Sequence, residues 1–291
     1  MSSNSQQQVQ TLSEISEISA TGSVAEIYAD IRAVLGVDLV NLIYRHLATV
    51  PGALEWAWAN LGPQFRSGEL DTQAITLRDC VKQRVLPWSE DFAFALRYRA
   101  DLASAARLTR VYTLNNSRNL IAFQHLLKED AQGATISDAV TTHVARLTRV
   151  TCDQAPDEQP LPAIPSWEAV SLADRETVIR LNRLGESQEP EIIASLYRHL
   201  SLWPMLLEDV EPALVQIDAR GDIARAMTFT VDSARAIVQA HPLAMPVPAP
   251  ACVDASMRAR LCAFINITIP KMVPVGIALE SAFTASTTPQ P

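Results

Sequence analysis

Glycine is scarce in this sequence, with nine residues among 291, and aromatic residues make up only 6% of the chain. Glycine costs roughly 1 kcal/mol in a helix interior and alanine almost nothing, so a chain poor in glycine and rich in alanine and leucine favours helices. No alternation of apolar and polar residues is long enough to predict a strand. Because the hydrophobic fraction is 48% and the charged fraction 19%, we expect an all-α globular fold.

The motifs of several common site classes are also missing. The sequence contains no G-x-G-x-x-G, P-loop, G-x-S-x-G or H-E-x-x-H, which gives no support to nucleotide-binding, serine-hydrolase or zinc-protease sites. None of the four cysteines is spaced as C-x-x-C, so we expect reduced thiols rather than a disulfide framework or a zinc site. We therefore expect no metal and no cofactor.

Positive charge is in deficit, with a formal net charge of −8. A nucleic-acid partner would need a basic face, so none is expected. No apolar run reaches the ~20 residues of a membrane helix, and residues 1–10 lack the basic and apolar regions of a signal peptide. We expect a cytoplasmic protein with no membrane partner.

Prolines divide the chain. Four of them between residues 151 and 165 predict an extended linker. The resulting organisation is a flexible tail (1–21), helical repeat 1 (22–150), the Pro-rich linker (151–165), helical repeat 2 (166–285) and a second tail (286–291). Apolar spacing and breakers predict helices at 23–35, 38–50, 53–66, 71–85, 90–98, 101–128, 135–150, 167–184, 190–203, 204–218, 220–239 and 254–283. Pro270 and Pro274 should kink the last helix.

An internal repeat is the strongest signal in the sequence. Residues 42–58 read LIYRHLATVPGALEWAW and residues 195–211 read SLYRHLSLWPMLLEDVE, with seven of seventeen positions identical. Two copies are too few for a solenoid, in which at least three repeats usually stack. The pattern instead predicts a pseudo-dimer with a site between the two halves.

Each copy ends an apolar helical stripe with a histidine. Spacing of i, i+3, i+4 and i+7 places four residues on one helix face, namely Leu39, Leu42, Ile43 and His46 in the first copy and Ile192, Ser195, Leu196 and His199 in the second. If the stripes face each other, they form an apolar cleft, and His46 and His199 become candidate catalytic residues. The alternative is that both histidines are helix-end groups that bind the last carbonyls.

Charged residues at matching positions have simpler interpretations. We expect Arg45 and Arg198 to form structural ion pairs, and Asp38 and Glu191 to cap their helices. A direct chemical role for Glu191 is a further alternative.

A polar cluster, residues 115–119, interrupts an otherwise apolar helix. It could mark a turn or a surface kink. It could instead form a polar wall that binds an anionic group, with Arg118 supplying the charge. Asn266 occupies a comparable place in the other half.

Four segments together resemble a known family. Residues 28–58, the ASLYRHLSLWP stretch at 194–204, the YTLNNSRN stretch at 112–119 and the LCAFIN stretch at 261–266 are similar, in order, to the group I 2-haloacid dehalogenases, the DehI-like family. The resemblance implies an all-α pseudo-dimer with the site between its halves. It also implies displacement of halide from C2 of a 2-haloacid, with inversion, by water that an aspartate activates.

The chain departs from that family at the site itself. The family's aspartate follows a serine, and here Ser195 is followed by Leu196, which cannot accept a proton. The family's aromatic pocket residues correspond to Leu39 and Leu42, and its tyrosine to Phe264. Its asparagine corresponds to Arg118 without a gap or to Asn119 with one.

These departures leave three hypotheses. The first is an enzyme of altered chemistry, in which a nucleophile within the substrate expels a leaving group, as in aziridine-type ring closure in natural-product biosynthesis. Arg118, Asn119 and Asn266 would then hold the leaving anion, and His199 or His46 would take the amine proton. The second is a hydrolytic dehalogenase whose base has moved to His199 or Glu191. The third is a non-catalytic helical binding protein. The first two imply a small-molecule substrate, and a small partner subunit or a homodimer is compatible with each.

Overall fold

The computed structural model describes residues 12–95, 101–128, 161–186, 190 and 192–287. These residues form helices and turns and no strand. The predicted all-α fold is therefore confirmed. The predicted helix at 135–150, residues 151–160 of the linker and Glu191 lie outside the described residues.

Among the described residues, α-helices lie on both sides of the linker, and the short helix with the repeated motif comes second on each side. Before the linker they are α1 (Gly22–Leu35), α2 (Leu42–Leu47), α3 (Ala53–Arg66), α4 (Glu69–Val85), α5 (Ser89–Ala95) and α6 (Leu102–Leu126). After it they are α7 (Leu172–Arg183), α8 (Ser195–Leu200), α9 (Pro204–Ala219), α10 (Asp222–Ala240), α11 (Ala255–Ala263) and α12 (Ile269–Thr287). The six-residue helices α2 and α8 carry the two copies of the repeated motif.

Local sequence accounts for several helix ends, but not for the expected caps of α2 and α8. Gly36 ends α1 in the left-handed region, with φ of 63°. The cap of α2 is Asn41, whose side chain accepts from the Ile43 amide, whereas Asp38 accepts from the Leu161 amide. The prediction that Asp38 caps this helix is therefore wrong, because the helix begins one turn later than the pattern indicated.

The core centres on α6 and α12, which pack along each other, with α4 and α10 against both. Close approach depends on Gly276 of α12, because a Cβ there would lie 2.8 Å from the Thr113 hydroxyl oxygen of α6. The short helices α2 and α8 lie against this pair of long helices.

The expected flexible tail does not extend to residue 21. The Ile15 amide donates to the Arg45 carbonyl over 3.0 Å, and the Tyr28 hydroxyl donates to the Ile15 carbonyl over 2.9 Å. Residues 12–21 therefore pack on the first half. At the other end α12 continues to residue 287, beyond the predicted boundary at 285.

The last helical run is longer and more apolar than the sequence pattern indicated. Ala255–Ser286 could cross a membrane by length and composition, but 78% of its most apolar window is buried inside the protein. It therefore packs as a core element. Near Pro270 the run contains a π-helical turn at Phe264–Thr268, where the Ile269 amide donates to the Phe264 carbonyl, while the kinks at Pro270 and Pro274 stay a prediction. Proline has no amide to continue the ordinary ladder, which favours this irregularity.

Candidate functional site

A small cavity lies where the starts of α2 and α8 meet the two long core helices. Its volume is about 30 Å³, room for roughly one water molecule. It is lined by Asn41, Leu42, Tyr112, Asn116, Ala194, Ser195, Leu196, Phe264, Thr268, Ile269 and Met272. Both repeated segments therefore contribute to one cavity, which is the candidate site.

Among the described residues, none that lines the cavity carries a charge. Leu196, at the position where the sequence resemblance implies the family's aspartate, is buried at 1% exposure. The titratable group in this described lining is Tyr112, and burial raises the pKa of its hydroxyl far above the usual value. Among the described residues no three His, Cys, Asp or Glu side chains lie close enough together to hold a metal.

His199 does not line the cavity but holds Tyr112, which does. The Tyr112 hydroxyl lies 3.1 Å from His199 Nδ1, and His199 Nε2 lies 2.8 Å from the Pro162 carbonyl oxygen. A carbonyl can only accept, so Nε2 of the neutral ring carries the proton and Nδ1 accepts from Tyr112. Burial, with smaller contributions from Arg198 and Arg45, lowers the pKa of His199 to about 4. The ring is therefore neutral at pH 7, with both nitrogens engaged.

His46 has a parallel position in the first half. Its Nδ1 lies 2.8 Å from the Ser13 carbonyl oxygen, and its ring centre lies 6.2 Å from that of Phe264. Its Nε2 is buried without a hydrogen-bond partner, and burial lowers its pKa below the usual range. Each histidine thus binds a carbonyl of the extended segment that precedes its own half, and the two rings make no hydrogen bond with each other.

Asparagines form the polar side of the cavity. The Asn41 side-chain oxygen accepts from the Ile43 amide, which fixes its orientation, and its Nδ2 donates to Asn116 Oδ1 over 3.0 Å. The Ser195 hydroxyl is buried and has no hydrogen-bond partner. Asn116 Nδ2 and Ser195 Oγ therefore remain for a ligand.

Hydrogen bonds with α7 fix the start of α8. The Ala194 amide donates to Asn182 Oδ1 over 2.9 Å, and Asn182 Nδ2 donates to the Ile192 carbonyl over 2.8 Å. Lys271, 1% exposed, donates to the Asn182 carbonyl and pairs with Glu186. Burial lowers the pKa of Lys271, and Glu186 opposes that shift. This series of hydrogen bonds, from α12 through α7 to the start of α8, thus fixes the cavity wall at Ser195 and Leu196.

Four of the eight predicted pocket residues line the cavity: Leu42, Ser195, Leu196 and Phe264. The other four lie elsewhere. Leu39 is half-buried at the edge of the core. Asn119 is fully buried, and neither atom of its amide has a partner. Asn266 accepts from Arg235 and donates to the Cys262 carbonyl.

Arg118 points away from the cavity. Its guanidinium donates to the Leu35 carbonyl over 2.9 Å and pairs with Asp71 over 2.7 Å, beside a separate pocket of about 180 Å³. The expectation that Arg118 supplies charge to the site is therefore wrong. Of the two alternatives for residues 115–119, the turn is excluded, because α6 runs through them unbroken.

Seven residues of the described lining were not among the eight predicted pocket residues, and two of them, Tyr112 and Asn116, lie on α6. They lie four residues apart on α6 and so share one helix face. A helical projection of residues 112–119 would have grouped them with Asn115 and Asn119. What the sequence could not supply is the direction in which that face points.

Arg45 and Arg198 form the structural ion pairs expected of them. Glu14 lies between them, 2.6 Å from Arg45 Nε and 3.4 Å from an Arg198 terminal nitrogen. One carboxylate therefore joins the two copies of the Tyr-Arg-His-Leu motif.

A larger groove of about 560 Å³ lies on the surface beside α4, α5 and α10. Its Arg220 already pairs with Asp91 over 2.7 Å and with Asp222 over 3.0 Å. Neither copy of the repeated motif reaches this groove, so it is the weaker candidate.

No family model matches the sequence, and neither does any curated protein. Solved structures do match the fold. A D-2-haloacid dehalogenase mutant in complex with D-2-CPA has a TM-score of 0.69 at 14% identity, covering 95% of this chain and 96% of that one. A second mutant of D-2-haloacid dehalogenase gives 0.68 at 16% identity, and a D-2-haloacid dehalogenase complex with L-LA gives 0.63 at 14%, each covering 94% of this chain and 96% of its own. At these identities the similarity shows a haloacid dehalogenase-like fold, as the resemblance implied, and nothing about activity.

Proposed function

We propose that this protein is an enzyme that uses a haloacid dehalogenase-like fold for a non-hydrolytic displacement. A nucleophile within the substrate, such as an amine, would expel a leaving group from a neighbouring sp³ carbon and close a ring. The observation that carries the proposal is the cavity lining: among the described residues it is uncharged, and Leu196 lies where the resemblance implies a water-activating carboxylate.

Such a reaction needs orientation and exclusion of water rather than a base for water. The amine lone pair forms the new N–C bond while the C–X bond breaks, and X leaves as an anion with its electron pair. The proton stays on the ring nitrogen and passes to solvent after release. Holding the two ends of one substrate in line lowers the barrier through orientation, and the apolar side chains of the wall, Leu42, Leu196 and Phe264, disfavour competing water there.

The geometry supports a positioning role for His199 rather than proton uptake. Its pKa of about 4 makes it a weak base near neutral pH, and both its nitrogens are engaged. Proton uptake by His46 stays a prediction, because its Nε2 has no partner. Neither Arg118 nor Asn266 lines the cavity, so the groups that remain to bind a leaving anion there are Asn116 Nδ2 and Ser195 Oγ.

We infer that the two halves arose by duplication, which would account for a site built at their junction. The place of the motif helix, second in each half, and the matching bonds of His46 and His199 to carbonyl groups support this. A small partner subunit, a homodimer and a cytoplasmic location remain expectations.

A non-catalytic role is the second candidate, favoured by one observation: the cavity has room for roughly one water molecule. A hydrolytic enzyme with a base at His199 is supported less, because His199 has no free nitrogen. Glu191, the other proposed base, lies outside the described residues.

Ring closure can be tested with minimal probes. The full-length protein would be incubated with 2-chloroethylamine and with 2-aminoethyl hydrogen sulfate, and aziridine would be followed by NMR against a control without protein. We expect release of chloride or sulfate together with aziridine, above the spontaneous rate. Production of ethanolamine instead would contradict the proposal, and absence of any acceleration would favour the non-catalytic candidate.

A further inference from the structure

Hydrogen-bond direction at Tyr112 is fixed by groups outside the cavity. Because the Pro162 carbonyl can only accept, His199 donates to it through Nε2 and accepts the Tyr112 proton at Nδ1. The phenolic proton is committed, so what Tyr112 can still offer a ligand is the lone pair of its oxygen. Tyr112 is therefore an acceptor in this site.

The opposite direction is fixed at Asn116. Asn41 caps α2 with its side-chain oxygen, so its nitrogen faces Asn116, and Asn116 must receive that bond with its own oxygen. The Asn116 nitrogen is left to donate. Ser195 adds a buried hydroxyl with no partner, which can donate beside it.

We propose that the cavity, which has room for one small group, selects a ligand whose neutral end group presents an N–H to Tyr112 and a carbonyl or leaving-group oxygen to Asn116 and Ser195. Carboxamides and unprotonated amines belong to this class, and free carboxylates do not. The proposal rests on the proposed function only in taking this cavity as the ligand site, and it names the substrate class for it.

A carboxylate is disfavoured for two physical reasons. Among the residues that the structure describes, no cationic side chain lines the cavity, so an ionised acid would lose its hydration without a partner of opposite charge. The Tyr112 oxygen would also face the carboxylate with a lone pair rather than a proton. A carboxamide of the same shape avoids both costs.

Binding of a matched pair of probes tests this selection without any need for turnover. The full-length protein would be titrated with 2-chloropropionamide and, separately, with 2-chloropropionate, with binding followed by NMR. We expect the amide to bind at least ~10-fold more tightly, since it gains one or two hydrogen bonds. Equal binding, tighter binding of the carboxylate, or binding of neither probe would overturn the proposal.

Two variants test whether the Tyr112 hydroxyl is responsible for binding of the amide. Tyr112→Phe should weaken amide binding about 3- to 10-fold. Tyr44→Phe is the matched control, because Tyr44 is fully buried, lies outside the cavity lining and has a hydroxyl with no partner. An unchanged Tyr112→Phe variant, or an equal loss in both variants, would contradict the assignment.

His199 is a positioning residue in this scheme. Its effect is measured as the ratio of amide binding to carboxylate binding. His199→Phe removes the acceptor for the Tyr112 proton, so the hydroxyl can donate to a carboxylate and the preference for the amide should fall. A purely structural role would weaken both probes alike and leave their ratio unchanged. If this variant does not fold, the Tyr112→Phe result still decides the proposal. If the amide binds but the minimal probes do not cyclise, the proposed reaction fails while this selectivity stands.

Discussion

A neutral imidazole sets the direction of hydrogen bonding at the centre of this protein. His199 is 1% exposed, and the bonds that fix its tautomer run from the linker at Pro162 to the cavity at Tyr112. The same contacts that make His199 a poor base make it an effective anchor. Its identity as histidine therefore affects both stability and recognition.

The stability of the fold should depend on pH through this residue. In the folded protein the pKa of His199 is about 4, against 6.5 for an unperturbed histidine. Between these values the unfolded chain binds the proton and the folded protein does not, so the free energy of unfolding falls as pH drops from 6.5 to 4. The expected contribution of His199 is about 3 kcal/mol. Above pH 6.5 the free energy should be independent of this group.

Denaturant unfolding at several pH values from 4 to 7.5 would measure this dependence. His125, whose pKa burial also lowers to about 4, should contribute in the same window and remain in the variant. His199→Gln should therefore show a shallower, not a flat, decline than the natural protein. His241→Gln, at an exposed histidine, is the control. An unaltered slope in His199→Gln would show that His199 can be protonated in the folded state.

At the scale of the helices, close packing of α6 on α12 determines which side of α6 faces the cavity. Thr113 of α6 lies against Gly276, while Tyr112 and Asn116 face the starts of α2 and α8. The Thr113 hydroxyl is itself held by the Thr109 carbonyl over 2.8 Å. The helix pair therefore has little room to adjust.

Gly276→Ala should destabilise the protein by about 1–3 kcal/mol, because the added methyl meets the Thr113 oxygen at 2.8 Å. This loss would occur although alanine favours a helix by roughly 1 kcal/mol over glycine. In a Thr113→Ala background the obstructing oxygen is absent, so the same change should be neutral or stabilising. Chemical denaturation of the four proteins of the cycle measures the coupling, and additive effects would argue against this close contact.

The sequence predicted most helices within a few residues, because apolar spacing and prolines are local signals. α3 was predicted at its observed bounds, and the repeated motif placed α2 and α8 at one site. Local patterns could not show which way each face of a helix points in the folded protein. Arg118 and Asn116 lie two residues apart on α6 and therefore point to different pockets, which only the packing of α6 against its neighbours determines.

At the scale of the whole molecule, Glu14 is one of several charged side chains that join the two halves. Glu14 pairs with Arg45, which is 4% exposed, and reaches Arg198 of the other half. Both arginines lie near His199 and help to keep it neutral. Residues 12–21 thus pack on the folded protein and are not part of a flexible tail.

Glu14→Gln should lower the free energy of unfolding by about 2–3 kcal/mol, because it leaves a buried Arg45 guanidinium without a counter-charge. Glu211→Gln is the matched control. Its partner Arg180 is half-exposed, and exposed pairs contribute less than about 1 kcal/mol. Equal effects of the two changes in denaturant unfolding would show that Glu14 does not tie the halves together.

Our proposal that water is not the nucleophile rests on a cavity to which both halves contribute and whose described lining holds no carboxylate. The most direct measurement is mass spectrometry of lactate formed from both enantiomers of 2-chloropropionate in ¹⁸O-labelled water. We predict no ¹⁸O-lactate above the level formed without protein. Enzyme-dependent formation of ¹⁸O-lactate from either enantiomer would show that the protein activates water and would contradict the proposed chemistry.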